Sequence, residues 1–348
     1  MIEMLQKAVQ MGGSDLFIIP GSSVTIKVQN SFVKLTDERV SPDESEQMIR
    51  QMYELAHRDF DLLQNAGDDD FSFALVNVSR FRCNAYKQRG TYAAICRIVN
   101  FELPDPDAMH IPPQVMALAS QRSGMILVTG PAGSGKSTTL ACMVDRINET
   151  RGAHIVTIED PIEYLHRHKK SLVSQREVPN DAASFSRALR AALRQAPDVV
   201  MLGEMRDLDT IRTAITAAET GHLLLSSLHT IGAAKTVDRI IDTFPAEQQT
   251  QIRVQLSMVL KAVVSQRLVP TVDDQRIAVF EVMTVNTAIQ NMIRDGRTHQ
   301  IDNVIYGGTD KNMMSMDAEL QRLVLAGRVT REVALLYAAN PDTLSKRI

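Results

Sequence analysis

The sequence predicts an α/β protein with an N-terminal α+β unit, a core built on a parallel sheet, and a helical tail. Three observations carry this reading. Residues 1–100 are dominated by short alternating apolar and polar runs with turn signals between them. From Gly124 onward, short apolar runs alternate with stretches of helical periodicity. Between the first such run and the first such helix lies Gly130-Pro131-Ala132-Gly133-Ser134-Gly135-Lys136-Ser137, which fits the pattern G-x-x-x-x-G-K-S.

Taken in order, Met1 to Gly13 reads as a short amphipathic helix, with Ile2, Leu5, Ala8 and Val9 on one face. Glu3 and Gln6 interrupt it, so it is not the apolar core of a secretory signal. Strands are expected at 15–19, 24–28, 32–35, 71–78, 81–86 and 92–99, with Pro20-Gly21 and Arg89-Gly90 among the turns. One helix, from Pro42 to about Asn65, interrupts them, which makes residues 1–100 an α+β domain with a largely antiparallel sheet.

Residues 101–116 hold Pro104, Pro106, Pro112 and Pro113, too many for a regular helix or a central strand, and read as a linker. The core, 117–270, has apolar strands at 125–128, 154–158, 199–202 and 222–225. The intervening stripes are Leu140/Met143/Val144/Ile147, Phe185/Leu189/Ala192/Leu193 and Leu208/Ile211/Ile215/Ala218, the last stopped by Gly221. Near-continuous apolar strands alternating with helices mean a parallel sheet covered on both faces. The remainder, 271–348, offers a strand at 277–282 and helices at 286–295, 316–326 and 330–339, with Ser315 and Thr330 as N-caps.

Composition narrows the function classes. The chain has 348 residues, 38 Lys plus Arg against 41 Asp plus Glu, and a formal net charge of −3. With 5% aromatics and no Trp, it lacks the basic stripes and stacking platforms of a nucleic-acid translocase. Cys83, Cys96 and Cys142 are scattered and form no C-x-x-C pair, so neither a structural zinc site nor a disulfide framework is expected. No apolar run approaches the roughly 18 residues of a membrane span. With no signal segment either, the expected compartment is the cytoplasm.

The loop at Gly130 lies between a strand and a helix, the context the motif requires. Its glycines allow a compact turn whose N–H groups face a phosphate, and the following helix N-terminus adds free donors. Lys136 is a point charge for β- and γ-phosphates, and the Ser137 hydroxyl can bind Mg²⁺. Three further strands run into polar clusters: Glu159-Asp160-Pro161-Ile162-Glu163, Gly203-Glu204-Met205-Arg206-Asp207, and Ser226-Ser227-Leu228-His229-Thr230. In an open parallel sheet these would share one edge, where ligands bind. Glu204 is then the candidate Mg²⁺ carboxylate, beside Ser137. Glu163 and Glu159 are both candidates to orient or deprotonate an attacking water. His229 can sense the γ-phosphate or orient that water.

These clusters, in this order, resemble those of the PilT/PilU branch of the secretion ATPase superfamily, the retraction ATPases of type IV pilus machines. Gly130–Thr138 is similar to the family's Walker A motif, 157–164 to its Asp box, 198–207 to its Walker B, and 221–230 to its His box. Gln175-Arg176-Glu177, Phe244-Pro245-Ala246-Glu247 and Phe81-Arg82-Cys83-Asn84-Ala85 extend the likeness over almost the whole chain. The resemblance implies a PAS-like N-terminal domain, a RecA-like ATPase core with a helical tail, and a homohexamer binding ATP and Mg²⁺ between domains near a subunit boundary. It implies phosphate contacts from Gly130, Ala132, Gly133, Ser134, Gly135, Lys136, Ser137 and Thr138, with Arg82 and Arg97 approaching from the N-terminal domain. Ser137 and Glu204 would hold the metal, and Glu163 would be the catalytic carboxylate. The expected work is pilin disassembly that powers pilus retraction and twitching motility. The implied partners are an inner-membrane platform protein and a PilU-like paralogue, with the ring docked at the inner face of the membrane.

The helix at Ala288–Asp295 is similar to a tail motif linked to retraction; Gln290, Met292 and Asp295 depart from it conservatively in size, Gln290 with the loss of a charge. Other departures are Phe17, Ala196 and Ser226; glycine is common at the last, and a serine there would adopt positive φ reluctantly. Competing readings are an accessory PilU-like ATPase, an assembly or type II secretion ATPase, a RecA-like translocase, and a nucleotide switch or small-molecule kinase. Assembly ATPases usually carry a tetracysteine zinc insert and a longer N-terminus, and this chain has three scattered cysteines. A kinase would need neither the large N-terminal domain nor the His box.

Overall fold

The computed structural model describes residues 1–28, 31–76, 78–99, 103–307 and 310–348. Residues 29, 30, 77 and 100 of the expected N-terminal domain, 101 and 102 of the expected linker, and 308 and 309 of the tail lie outside the described residues. The chain forms two compact units: Met1–Glu102 with Glu163–Leu165, and Leu103–Ile162 with His166–Ile348.

The first unit contains α1 (Ile2–Gln10), β1 (Asp15–Ile18), β2 (Thr25–Val28), β3 (Ser31–Lys34), α2 (Pro42–Leu55), α3 (Asp61–Ala66), β4 (Asp68–Leu75), β5 (Ser79–Gln88) and β6 (Thr91–Val99). The strands form an antiparallel sheet in the order β3-β2-β1-β6-β5-β4. Helix α2 starts where Ser41 and Glu44 exchange side-chain and backbone bonds, with Pro42 in the first turn, so its first N–H donors are satisfied. The single helix expected over 42–65 is two. The chain leaves α2 after Leu55, His57 takes φ 49°, and α3 begins at Asp61. Tyr53 and Arg58 both bond Asp69 across this break, a tertiary contact that periodicity does not reveal.

Cys83 and Cys96 correct the cysteine reading. They sit opposite each other in the β5–β6 pair, Cα atoms 4.1 Å apart, and form a disulfide. They are 13 residues apart in sequence, and hairpin register, not a spacing motif, brings them together.

The second unit opens with α4 (Pro113–Ala117) and a 3₁₀ turn at Leu118–Ser120. The expected linker is therefore partly ordered structure. Pro113 occupies the first helical turn, where its missing N–H costs nothing. Ile111, Val115 and Met116 are buried in the core of this unit. There follow β7 (Gly124–Thr129), α5 (Lys136–Thr150), β8 (His154–Glu159), β9 (Leu172–Glu177), α6 (Phe185–Ala192), β10 (Val199–Leu202), α7 (Leu208–Glu219), β11 (Leu223–Leu228), α8 (Ala233–Asp242) and α9 (Ala246–Val259). The strands β12 (Leu260–Pro270) and β13 (Arg276–Thr284) come next. Helices α10 (Thr287–Arg294), α11 (Ile301–Tyr306), α12 (Met316–Leu325), α13 (Arg331–Tyr337) and α14 (Pro341–Ser345) complete the chain.

The sheet order is β13-β12-β7-β11-β10-β8-β9. All neighbours are parallel except β13, which pairs antiparallel with β12. Alternate residues of each strand serve opposite faces. Met125, Leu127, Val200 and Leu202 pack under α6 to α11, while Ile126, Val128, Val199 and Met201 pack under α4 and α5. This two-sided burial is why the strands read as continuous apolar runs. The sequence reading missed β9, α8, α9, β12, α11 and α14. In β12 the cause is plain, because α9 passes into the strand at Leu260 without a turn residue between them. The tail helices α12 to α14 close on the ends of β12 and β13 through Val269, Ile277, Val279, Met316 and Leu320.

Candidate active site

Strands β7, β11, β10 and β8 lie side by side and parallel, in register to their carboxyl ends. The polar clusters that follow them therefore line one edge of the sheet, in the order phosphate loop, His229, Glu204, Glu159.

The phosphate loop turns out of β7 at Gly130 and ends at Gly135, the N-cap of α5. Two of its glycines are sterically required. Gly130 has φ 145°, and a Cβ there would lie 2.1 Å from the Gln266 carbonyl oxygen. Gly135 has φ 88°, and a Cβ there would meet the Gln266 side chain at 2.8 Å. Lys136 is 8% exposed, and its ammonium donates to the carbonyls of Gly130 and Pro131 at 3.0 and 2.9 Å. Phosphate oxygens would compete for the same protons. Ala132, Gly133 and Ser137 are exposed, Thr138 is half-buried, and Ser134 is buried with its hydroxyl making no hydrogen bond among the described residues.

Glu204 follows β10. Its side chain is 12% exposed, and one carboxylate oxygen pairs with Arg206 at 2.5 Å. The other oxygen is buried without a hydrogen bond among the described residues and has His229 Nε2 3.4 Å away. Glu204 holds the Arg206 guanidinium above its ordinary range. Ser227 Oγ donates to the Gly203 carbonyl at 2.6 Å and the Met205 N–H donates to the Ser227 carbonyl at 3.2 Å, so β11 fixes the backbone that carries Glu204. His229 itself is half exposed.

Glu159 and Glu163 have different surroundings. Glu159 is buried, accepting from Thr157 Oγ1 at 2.6 Å and Gln175 Nε2 at 3.2 Å. Both bonds fall on one oxygen, Oε1. Glu163 is exposed. Arg82 and Arg97 oppose each other in the β5–β6 register and are both exposed; Arg97 pairs with Asp15 at 3.0 Å.

Ser226 lies within β11, paired with Leu127 and Leu202 in extended backbone, so the positive φ for which glycine would be suited is not used. Its hydroxyl is buried without a hydrogen bond among the described residues. In α10, Ile289 and Ile293 are buried, while Asn291 and Arg294 are exposed. Sequence reading missed Gln266, which is buried and whose Oε1 accepts from Thr139 at 2.8 Å beneath the phosphate loop. No signal pointed to it, because its strand was not recognised.

The edge as a whole pairs a phosphate cradle with a carboxylate and an imidazole. Residues 108–326 match the family described as Type II/IV secretion system protein. The chain belongs to this family. Among members, it is 40% identical over 344 residues to the type IV pilus retraction ATPase PilT of Pseudomonas aeruginosa, covering 98% of each chain. It is 37% identical over 344 residues to the type IV pilus ATPase PilU of the same organism, covering 98% of this chain and 89% of that one. A crystal structure of the pilus retraction motor PilT with bound ADP superposes with a TM-score of 0.89 at 41% identity, covering 99% of both chains. The mixed α/β fold is thus that of the PilT ATPases.

Proposed function

We propose that this chain is the ATP-hydrolysing motor of type IV pilus retraction. The observation that carries the reading is the near full-length likeness to PilT, combined with a phosphate loop, Glu204 and His229 on one sheet edge. The enzyme is an ATPase. It works as a homohexamer docked on a membrane platform protein at the inner face of the cell membrane. Among the described residues no helix is long and apolar enough to cross a membrane, so attachment would run through that partner.

The chain's groups divide the chemistry as follows. Backbone N–H groups of Gly133 to Thr138 and the start of α5 receive the phosphates, with Gly130, Ala132 and Ser134 shaping the loop. Lys136 exchanges its carbonyl partners for phosphate oxygens and follows the charge that develops there. A divalent cation fits the donors present, a hard hydroxyl oxygen on Ser137 and the carboxylate of Glu204, whose inner oxygen makes no hydrogen bond among the described residues. Mg²⁺ bound there would neutralise charge on the β- and γ-oxygens. His229 orients the attacking water or reads the γ-phosphate beside Glu204. Glu163, exposed, is the general base, while Glu159 is buried with its Oε1 accepting from Thr157 and Gln175. The resemblance alone assigns Arg82 and Arg97 to the phosphates. The division into an N-terminal domain to residue 100, a linker, a core of 117–270 and a tail serves this cycle, in which hydrolysis changes the favoured arrangement of domains.

A second reading, an accessory PilU-like ATPase, is favoured by the 37% identity over 344 residues. Deletion in the source organism separates these readings. Surface pili that persist without twitching motility indicate the main motor; retained motility indicates the accessory role; loss of pili indicates assembly. At the site, Glu163→Gln should bind ATP yet stall, and normal turnover in that variant would transfer the base to Glu159.

A further inference from the structure

Helix α8 begins four residues beyond His229, and its N-cap, Gly232, has no side chain with which to cap it. The cap comes instead from the far side of the phosphate loop. Ser265 on β12 and Glu281 on β13 are direct cross-strand partners, and both are buried. Ser265 Oγ accepts from the Gly232 N–H at 2.9 Å, and Glu281 Oε1 accepts from the Ala233 N–H at 2.9 Å. Thr236 returns a bond to the Gly232 carbonyl at 2.8 Å and meets Thr230 Oγ1 at 2.7 Å. A cap on residue 232 itself would stabilise the helix alone. A cap on the sheet also fixes where the helix, and the loop before it, stand relative to the strands.

One of these strands, β12, lies beside β7, which leads into the phosphate loop, and β13 is paired to β12. Ser265 is paired with Thr129, the last residue of β7, and Gln266 packs beneath Gly130 and Gly135 from the same strand. We propose that Glu281, assisted by Ser265, is a positioning residue that sets the His229 loop in register with the phosphate loop. This rests on the reading of His229 as a group that orients water or senses the γ-phosphate.

A carboxylate suits the place, because a helix N-terminus favours negative charge. Burial pushes Glu281 up to about 7. Asp302 of α11 and Asp317 of α12 act in the same direction, and Arg267 of β12 opposes them. Lys235 of α8 and His299 before α11 line the same cavity. The cap is therefore strongest when Glu281 is ionised, and it weakens as pH falls through about 7.

The test uses the full chain in wild-type, Glu281→Gln, Glu281→Ala and Ser265→Ala forms. Amide hydrogen exchange is followed over residues 229–236, with steady-state ATPase kinetics between about pH 6 and 8. Glu281→Ala should exchange about tenfold faster there and lose about tenfold in kcat, with KM for ATP within about twofold. Glu281→Gln keeps an acceptor, so it should recover most of both and lack the step near pH 7 that the wild type shows after correction for intrinsic exchange. Unchanged exchange in Glu281→Ala, or a change in KM alone, would overturn the positioning role. If Glu281→Ala does not fold, Ser265→Ala carries the same test, with a several-fold effect expected and wild-type exchange overturning the proposal. A wild-type chain that hydrolyses no ATP would overturn the reading of His229 itself; a hydrolysing wild type with unaltered Glu281→Ala exchange and kinetics would overturn only the positioning role.

Discussion

The two sheets treat their buried polar groups differently. In the N-terminal sheet several of these groups find protein partners close by. Ser45 Oγ donates to the Tyr92 carbonyl and Ser79 Oγ to the Val99 carbonyl, each at 2.6 Å, while Asp69 takes Tyr53 and both arms of Arg58. Along the carboxyl edge of the core sheet, Thr129 Oγ1, Ser134 Oγ, Ser226 Oγ and one oxygen of Glu204 are buried and make no hydrogen bond among the described residues. A buried polar atom without a hydrogen bond costs roughly 1–3 kcal/mol. Other such atoms, His166 Nδ1 and Arg253 Nη1 among them, lie elsewhere in the core unit, but these four share the edge that carries the phosphate loop, the region proposed for chemistry.

The largest test of this contrast is at Lys136 of the phosphate loop and at Glu204, the carboxylate proposed to hold the metal. Lys136→Ala and Glu204→Ala should each lower phosphate release from Mg-ATP by on the order of 10³-fold or more, while the melting temperature stays near the wild type. Full turnover in Glu204→Ala would end the metal assignment.

Gly130→Ala should act on both properties. It forces a Cβ to within 2.1 Å of a backbone oxygen at φ 145°, and a loss of about 3 kcal/mol in stability is expected by denaturant titration, with nucleotide binding impaired.

A third test uses acid. Burial lowers His166 from 6.5 to about 4, so the folded chain holds it neutral. Between those values the unfolded chain binds the extra proton. Stability contributed by the neutral ring is complete above about pH 6.5 and is lost as pH falls toward about 4, by roughly 3 kcal/mol. His166→Asn should flatten that part of the stability–pH curve, and an unchanged curve would contradict the burial argument.

The smaller effects complete the contrast. Arg58→Ala leaves Asp69 half-satisfied in the N-terminal unit and should cost about 1–2 kcal/mol in melting experiments. Ser226→Ala removes a buried hydroxyl that makes no hydrogen bond and should raise stability by about 1 kcal/mol; destabilisation would show that the hydroxyl has a partner.

Much of the core was legible because its signals are local. The phosphate loop, the β7 and β10 strands and the stripes on α5 to α7 are each encoded within about a dozen contiguous residues. Glu204 and His229 were legible because each follows an apolar strand. That they stand 3.4 Å apart depends on β10 and β11 being neighbours, which neither segment encodes. Residue chemistry left Glu159 and Glu163 both open and the resemblance alone favoured Glu163; their different burial, and the bonds that Glu159 accepts from Thr157 and Gln175, are visible only in the structure.

By itself, the sequence determined the α/β class, the strand–loop–helix of the phosphate cradle and the residue types along the site. Tertiary structure alone decided the Cys83–Cys96 pairing, the break after Leu55, the strand β12 beneath the phosphate loop, and the cap that Ser265 and Glu281 supply to α8. The physical reason is the same in each case. Periodicity reports which face of an element is buried, whereas strand register and side-chain bonding between distant segments are set by which surfaces meet once those faces are covered.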